Sequence, residues 1–319
     1  MTVTLGSARA SPGEIDTGRL SIGERRDGGV ARLPVAVVNG ADAGRTLYVQ
    51  AVSDGDELNG LGVLNRLVPR LDPAEIAGTI LLVGIVNYYG FQQAEHRNPI
   101  DDRKLNRTYP GEETGSTSER IAAATYEAAS RADLILDLHQ ASTSRMINET
   151  RVRCGSRHRL HEECLELAKV FDCGYVLDQK GPDGQLARVA PDDGIPTIDP
   201  ELGGAVGWDD ESIEIGLRGV FNVLRQYGFL DGSVELEPQV RARGFDQYVA
   251  PAGGLVRFAR DLGERVDPGD VLFAVTDTFG STKVRVTADN SGVFWRSRRL
   301  PQVAEGEYVC SIGTQTDTY

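Results

Sequence analysis

Two acids stand three residues apart in the segment SDGDELNG. They are Asp54 and Glu57, with Gly55 and Asp56 between them. The segment closes an apolar run and opens a stretch of helical apolar spacing. Two metal-type side chains at this spacing, at a strand-to-helix turn, make half of a cation site of the His-x-x-Glu kind. Here an aspartate holds the first position. The same residues also suit a turn followed by a helix N-cap, with Glu57 favoured by the helix dipole.

Other strand-like runs end on comparable residues. RTLYVQAV (45–52) leads to Asp54 and Glu57. TILLVGIV (79–86) leads to Asn87 and the loop FQQAEHRNPIDDRKLNRTYPG. DLILDL (133–138) leads to His139, and IPTID (195–199) leads to Glu201. Ligand sites of open α/β sheets collect at the carboxyl ends of the strands. Four runs thus deliver metal-type or acid/base residues to one edge. Read alone, His139 behind Asp137 is a hydrogen-bonded structural histidine. His96 reads as a solvated loop residue, and His158 and His161 as exposed on a charged helix. Ser142, Thr143 and Ser144 lack the strand–nucleophile–helix elbow of a serine hydrolase.

These residues need a frame. Residues 1–44 read as an N-terminal β ribbon, with ARLPVAVVNG its clearest strand. From 45 to about 230, strands alternate with helices, which predicts an α/β domain with a parallel or mixed central sheet. Leu58, Leu61, Leu64, Leu67, Val68 and Leu71 mark one face of a helix over 57–71. Ser116 and Glu119 form a capping box opening the next helix, through Ala128. Two more helices are expected over Arg157 to Phe171 and Asp210 to Tyr227. From Tyr248 the pattern turns to short β runs, so residues 236–319 are expected to form a small all-β, barrel-sandwich-like domain after a unit spanning 1–235. LGERVDPGDVLF and PQVAEGEYVCSIG form a weak internal repeat that resembles biotinyl and lipoyl carrier domains. Lys283 lies past the tip where a carried group would sit, so a lid or docking role is the better reading.

Bulk properties narrow the classes. The chain has 319 residues, 40% hydrophobic and 25% charged, as in soluble globular proteins. No apolar run is long enough to span a membrane, and the first residues lack the basic and apolar segments of a signal peptide. A net charge of −13 argues against binding nucleic acid or anionic lipid. The four cysteines have no close pair and read as reduced thiols of a cytoplasmic protein.

The stretches SDGDELNG, HRNPIDDRKLNRTYPG, DLILDLHQ and TIDPELGG together resemble the succinylglutamate desuccinylase/aspartoacylase family, which has the zinc carboxypeptidase-like fold. The order and spacing agree over roughly residues 30 to 230, and the C-terminal β region also resembles the family's appended domain. The resemblance implies a zinc-dependent amide hydrolase acting on N-acyl amino acids. It places the metal on Asp54, Glu57 and His139, with Asp54 standing where the family has histidine. It implies that Glu201 activates the metal-bound water, that Arg97 polarises the scissile carbonyl, and that Asn106 and Arg107 grip a substrate carboxylate. Lys104 stands where an aspartate commonly precedes Leu-Asn-Arg.

An aspartate oxygen has a reach similar to that of imidazole Nδ1, so one divalent metal remains expected, with zinc first. Two carboxylates and one histidine make the site formally neutral, which weakens the Lewis acid and suits Mn or Fe better. The expected activity is deacylation of an N-acyl amino acid or related small carboxylate. The partner is a small-molecule substrate, and a homo-oligomer is compatible with this reading. The alternatives are a metallocarboxypeptidase of the same fold and a non-catalytic carboxylate-binding protein with a degenerate metal site.

Overall fold

The computed structural model describes residues 1–204, 207–234 and 236–319. Among these, ten strands form one mixed sheet. Its centre is parallel: Asp42–Ala51 pairs with both Ala77–Val83 and Leu134–Ala141, and Leu134–Ala141 pairs with Thr197–Gly204. Glu149–Val152 then runs antiparallel to Thr197–Gly204. At the other side the long hairpin Glu14–Glu24/Val30–Asn39 pairs antiparallel onto Ala77–Val83, so the N-terminal ribbon is an edge of the large sheet.

Side-chain alternation along the central strands explains the layers. Leu47, Val49 and Ala51 face one core, together with Ile80, Leu82, Leu134, Leu136 and Leu138. Tyr48, Leu81, Val83 and Ile135 face another. A period of two with apolar residues on both faces needs cover on both faces. The helices Asn59–Leu67, His161–Phe171 and Asp210–Gln226 contribute Val63, Leu67, Leu167, Phe171, Leu217 and Val220 to the first core. Thr117–Ala129 contributes Ile121 and Ala122 to the second. The fold is α/β, as expected.

Local differences have local causes. The helix expected over 57–71 is regular only over Asn59–Leu67 and tightens to a 3-10 turn at Val68–Arg70, where Pro69 has no N–H to give. The capping box is present, with Ser116 accepting from the Glu119 N–H and Glu119 from the Ser116 N–H. The helix expected from Arg157 begins at His161, after a turn in which Gly155 has φ +91°. The strand expected over 195–199 runs over Thr197–Gly204, so Glu201 lies inside it and not beyond its end.

The C-terminal region is all-β. Gly244–Val249, Tyr308–Thr314, Gly292–Arg298 and Arg265–Val266 make one sheet, to which Ser144–Met146 of the α/β part adds by pairing with Gly292–Arg298. A four-stranded sheet packs beside it around Phe273, Phe294 and Ile312. Val240–Ala242 and Asp317–Thr318 return to the edge of the large sheet. The division expected between 235 and 236 falls at a position outside the described residues. Lys283 bonds through Nζ to the Gly253 carbonyl at 2.7 Å. Among the described residues, no helix is long and apolar enough to cross a membrane.

Candidate functional site

The site grows from the carboxyl end of Asp42–Ala51. Val52 follows at φ +59°, a left-handed conformation costly for a β-branched residue. The N–H groups of Val86 and Asn87 bond to the Ala51 and Val52 carbonyls at 3.1 and 2.7 Å, holding this bend. The chain then turns sharply, with the Glu57 N–H on the Asp54 carbonyl at 3.1 Å. Asp54 ends 1% exposed and Glu57 5% exposed.

His139 meets both acids from the next strand. Its Nδ1 lies 2.8 Å from Glu57 Oε2 and 3.7 Å from Asp54 Oδ2. Its Nε2 lies 3.0 Å from Asp137 Oδ2 and 2.9 Å from Asn106 Nδ2. Burial works against a charged ring here, yet Asp137, Asp199 and Glu57 outweigh it and hold the imidazole well above its ordinary pKa. Glu57 is pushed up to about 7, by burial first and the neighbouring Asp54 charge second. Two buried groups in contact whose pKa values are both strongly displaced are the pattern of a functional centre.

Glu201 is set by strand register. It is the direct cross-strand partner of His139 on one side and of Glu149 on the other. Arg151 pairs with both Glu201 and Glu149. Burial alone would raise the Glu201 pKa, but Arg151 and His139 overcome that and hold it below the usual carboxylate value. Glu149 also accepts from the Trp295 indole, so a C-terminal strand braces this charge network.

Of the residues expected at the site, Asp54, Glu57, His139 and Glu201 come together. Asn106 is adjacent but engaged: its amide faces His139, while its Oδ1 accepts from the Leu186 N–H at 3.0 Å. Arg107 is exposed over part of its surface and bonds the Asn106 carbonyl. Burial lowers its pKa, opposed by the charges of Asp54, Asp199 and Glu201. Arg97 is not brought in. Its guanidinium bonds the Asp102 carbonyl at 2.7 Å within its own loop. The neighbouring His96 enters instead, with Nδ1 3.1 Å from Asp56 Oδ1 and Nε2 3.6 Å from Asp54 Oδ1. Neighbours in an irregular loop point in different directions, and spacing alone could not choose between them.

A cavity of about 250 Å³ opens beside Glu57 and Glu201, lined also by His96, Lys104, Arg151 and Arg296 among others. Lys104, Arg151 and Arg296 give it a cationic side. Arg151 and Arg296 were missed from sequence because the strands carrying them pair only in the tertiary fold. A larger cavity, about 540 Å³, lies around Asp42, Arg70, Ala77, Arg225 and Asp231. Asp42 and Ala77 begin their strands, so it sits at the amino edge of the sheet, away from the residues gathered here. Size does not outweigh that: the chemistry is at the carboxyl edge. His158 and His161 are not free surface groups either. His158 pairs with Asp192 at 3.1 Å, and His161, 5% exposed, with Asp178 at 2.9 Å.

Asp54, Glu57 and His96 bring ligand-type atoms within 4.8 Å of one another, a grouping able to hold a metal ion. Among the described residues, Asp54 Oδ1 is buried with no hydrogen-bond partner. A buried carboxylate oxygen left in that state is costly, and a cation would satisfy it.

Known proteins share this fold. The chain is 29% identical over 300 residues to an N-alpha-acetyl-L-2,4-diaminobutyric acid deacetylase of Halomonas elongata, covering 89% of this chain and 86% of the relative. It superposes on a succinylglutamate desuccinylase from Silicibacter sp. TM1040 with a TM-score of 0.85 at 24% identity, over 98% of each chain. The product-bound ectoine utilization protein EutE (DoeB) of Ruegeria pomeroyi gives a TM-score of 0.86 at 24% identity, again over 98% of each chain. Residues 43–227 match the succinylglutamate desuccinylase/aspartoacylase catalytic domain. That span holds Asp54, Glu57, His139 and Glu201, and the chain belongs to this family.

Proposed function

We propose that the protein is a metal-dependent deacylase that hydrolyses the amide bond of an N-acyl amino acid. One observation carries the reading. Glu201, an ionised buried carboxylate, is the register partner of His139 and lines one cavity with Glu57, so a proton acceptor stands beside the cluster of Asp54, Glu57 and His139. The deacetylase name of the Halomonas elongata relative supports the amide-hydrolysis part.

Asp54, Glu57 and His139 would hold the metal, and the bare Asp54 Oδ1 fits a cation. When bound, a divalent metal lowers the pKa of water toward neutrality and polarises an acyl carbonyl. Zinc is the first expectation, and the oxygen-rich donor set also suits Mn or Fe. Asp137 supports this role through its charge, with Oδ2 3.0 Å from the far nitrogen of the His139 ring.

Glu201 takes the proton from the attacking water and returns it to the leaving amine. Arg151 keeps it ionised for the first step and fixes its carboxylate. The substrate carboxylate is met by the cationic side of the cavity. Arg296 is suited to meet it, because among the described residues its Nε is buried without a hydrogen-bond partner, and Lys104 adds charge to the same lining, with Arg107 outside it but within reach of the Asp54 and Glu201 charges. Arginine's planar fork matches a carboxylate. In this reading Asn106 orients His139, in place of the carboxylate grip that the family resemblance implied.

The test is release of carboxylic acid from a panel of N-acyl amino acids, beginning with N-alpha-acetyl-2,4-diaminobutyrate, in protein loaded with zinc, manganese or iron. Turnover of that panel and none of peptides supports the proposal. Cleavage of C-terminal residues from peptides alone would select the carboxypeptidase reading. The contact of Lys104 with Asp54 favours one rival, a binding protein without a working metal. Failure of every metal to bind would select it.

A further inference from the structure

His96 approaches the two acids from a loop whose sequence does not announce it. Its Nε2 lies 3.6 Å from Asp54 Oδ1, the oxygen that has no hydrogen bond. Its Nδ1 lies 3.1 Å from Asp56 Oδ1. That second contact favours the tautomer in which Nδ1 donates to Asp56, which leaves the Nε2 lone pair on the side of Asp54. Glu57 Oε1 lies 3.8 Å from Nδ1 as well, so the ring edge stands against all three acids of the turn. A histidine held by a carboxylate at one nitrogen, with the other turned to a bare carboxylate oxygen, is how protein ligands are presented to a metal.

The loop is not free to place the ring elsewhere. The Gly55 N–H and the Asn87 amide both donate to the His96 carbonyl, at 3.3 Å each. Gly55 fits so closely that a Cβ there would stand 2.3 Å from the Gly90 carbonyl carbon and 2.4 Å from the Glu95 carbonyl oxygen. The turn bearing Asp54 and the loop bearing His96 are therefore packed as one piece.

We propose that His96 is a metal donor through Nε2, joining Asp54, Glu57 and His139. The proposal rests on the metal reading given above. It changes the donor set from one imidazole and two carboxylates to two of each, and supplies from position 96 the imidazole that position 54 lacks. A nitrogen donor is neutral, so it adds affinity for zinc without adding negative charge. Lys104, 3.2 Å from Asp54 Oδ2 and partly exposed, has room to withdraw when the cation enters.

The experiment loads the full-length protein with one equivalent of copper(II) and counts coordinated imidazoles by pulsed electron paramagnetic resonance. Zinc affinity is measured beside it by competition with a chromophoric chelator. Two imidazoles in the wild type, one in His96→Ala, and a loss of zinc affinity exceeding the ~10–100-fold typical of outer partners support the proposal. His96→Gln serves as a second variant of similar bulk, and the wild-type count needs no variant at all. One imidazole in the wild type, or unchanged affinity in both variants, overturns it. If His139→Ala then still loses the metal, the metal reading survives and only the role of His96 falls. A wild type that binds neither metal overturns both.

Discussion

Lys104 Nζ lies 3.2 Å from Asp54 Oδ2, so an ammonium group and a divalent cation seek the same buried carboxylate. Two unit charges at this separation attract by about 5 kcal/mol at an effective dielectric of 20, and less where solvent reaches the lysine. Lys104→Met removes the competitor. Zinc affinity, read by chelator competition, is expected to rise by about tenfold, equivalent to ~1.4 kcal/mol. A fall would mean that Lys104 holds Asp54 in place for the metal and does not compete with it.

Glu201→Gln keeps the shape of the side chain and removes its basicity. We expect kcat to fall by about 10²–10⁴-fold, the usual contribution of a general base. Metal content by elemental mass spectrometry should stay at the wild-type level. Turnover within a few-fold of wild type would remove Glu201 from the reaction.

Arg151 sets the protonation of that base. Its charge holds the Glu201 pKa down against burial, so Glu201 is ionised throughout the neutral range. Activity that needs the ionised form is present above this pKa and lost as pH falls through it. Arg151→Lys retains a charge but loses the fork that spans Glu149 and Glu201. The acid limb of kcat/KM is expected to move to higher pH, by about one unit. A limb that does not move would show that another group sets it.

Trp295 joins the C-terminal sheet to the charge network through its indole bond to Glu149. It is fully buried, with its ring edge-on to Tyr175 at 5.3 Å and to Phe245 at 5.6 Å. Trp295→Phe keeps an aromatic ring and leaves one buried carboxylate contact unmade. The loss is expected at ~1–3 kcal/mol, seen as a lower urea midpoint. An unchanged midpoint would mean that Arg151 alone satisfies Glu149.

Gly55 tests the packing between turn and loop. Gly55→Ala forces a methyl group into the Gly90 and Glu95 backbone, where no flexible side chain can give way. Overpacking of this kind typically costs about 1–3 kcal/mol. The displaced loop should also weaken zinc binding. Stability and affinity both at wild-type values would contradict the close approach.

Local chemistry was legible in the chain. Alternation in 45–52 and 133–138, the leucine spacing after Glu57, and the Ser116/Glu119 box depend on neighbours within a few residues, and each gave an element of the expected type. The acids of the SDGDELNG turn were legible because they follow a strand of the parallel centre; His139 lies inside Leu134–Ala141 and not past its end, but near enough to the carboxyl end that topology takes it to the same edge. The family resemblance rested on short stretches around these same residues.

Pairing between distant strands was not legible, and it decided the rest. Arg151 reaches Glu201 because Glu149–Val152 runs antiparallel beside Thr197–Gly204, a register no local pattern encodes. Arg296 enters because Gly292–Arg298 pairs with Ser144–Met146. His96 and Arg97 are adjacent in sequence and opposite in fate, since the direction of a loop side chain is fixed by what the loop packs against. The sequence by itself determined the layers and the identity of the acids and of His139. The tertiary structure decided which cations face them, because contacts across long sequence separations arise from packing of whole elements and not from the residues between.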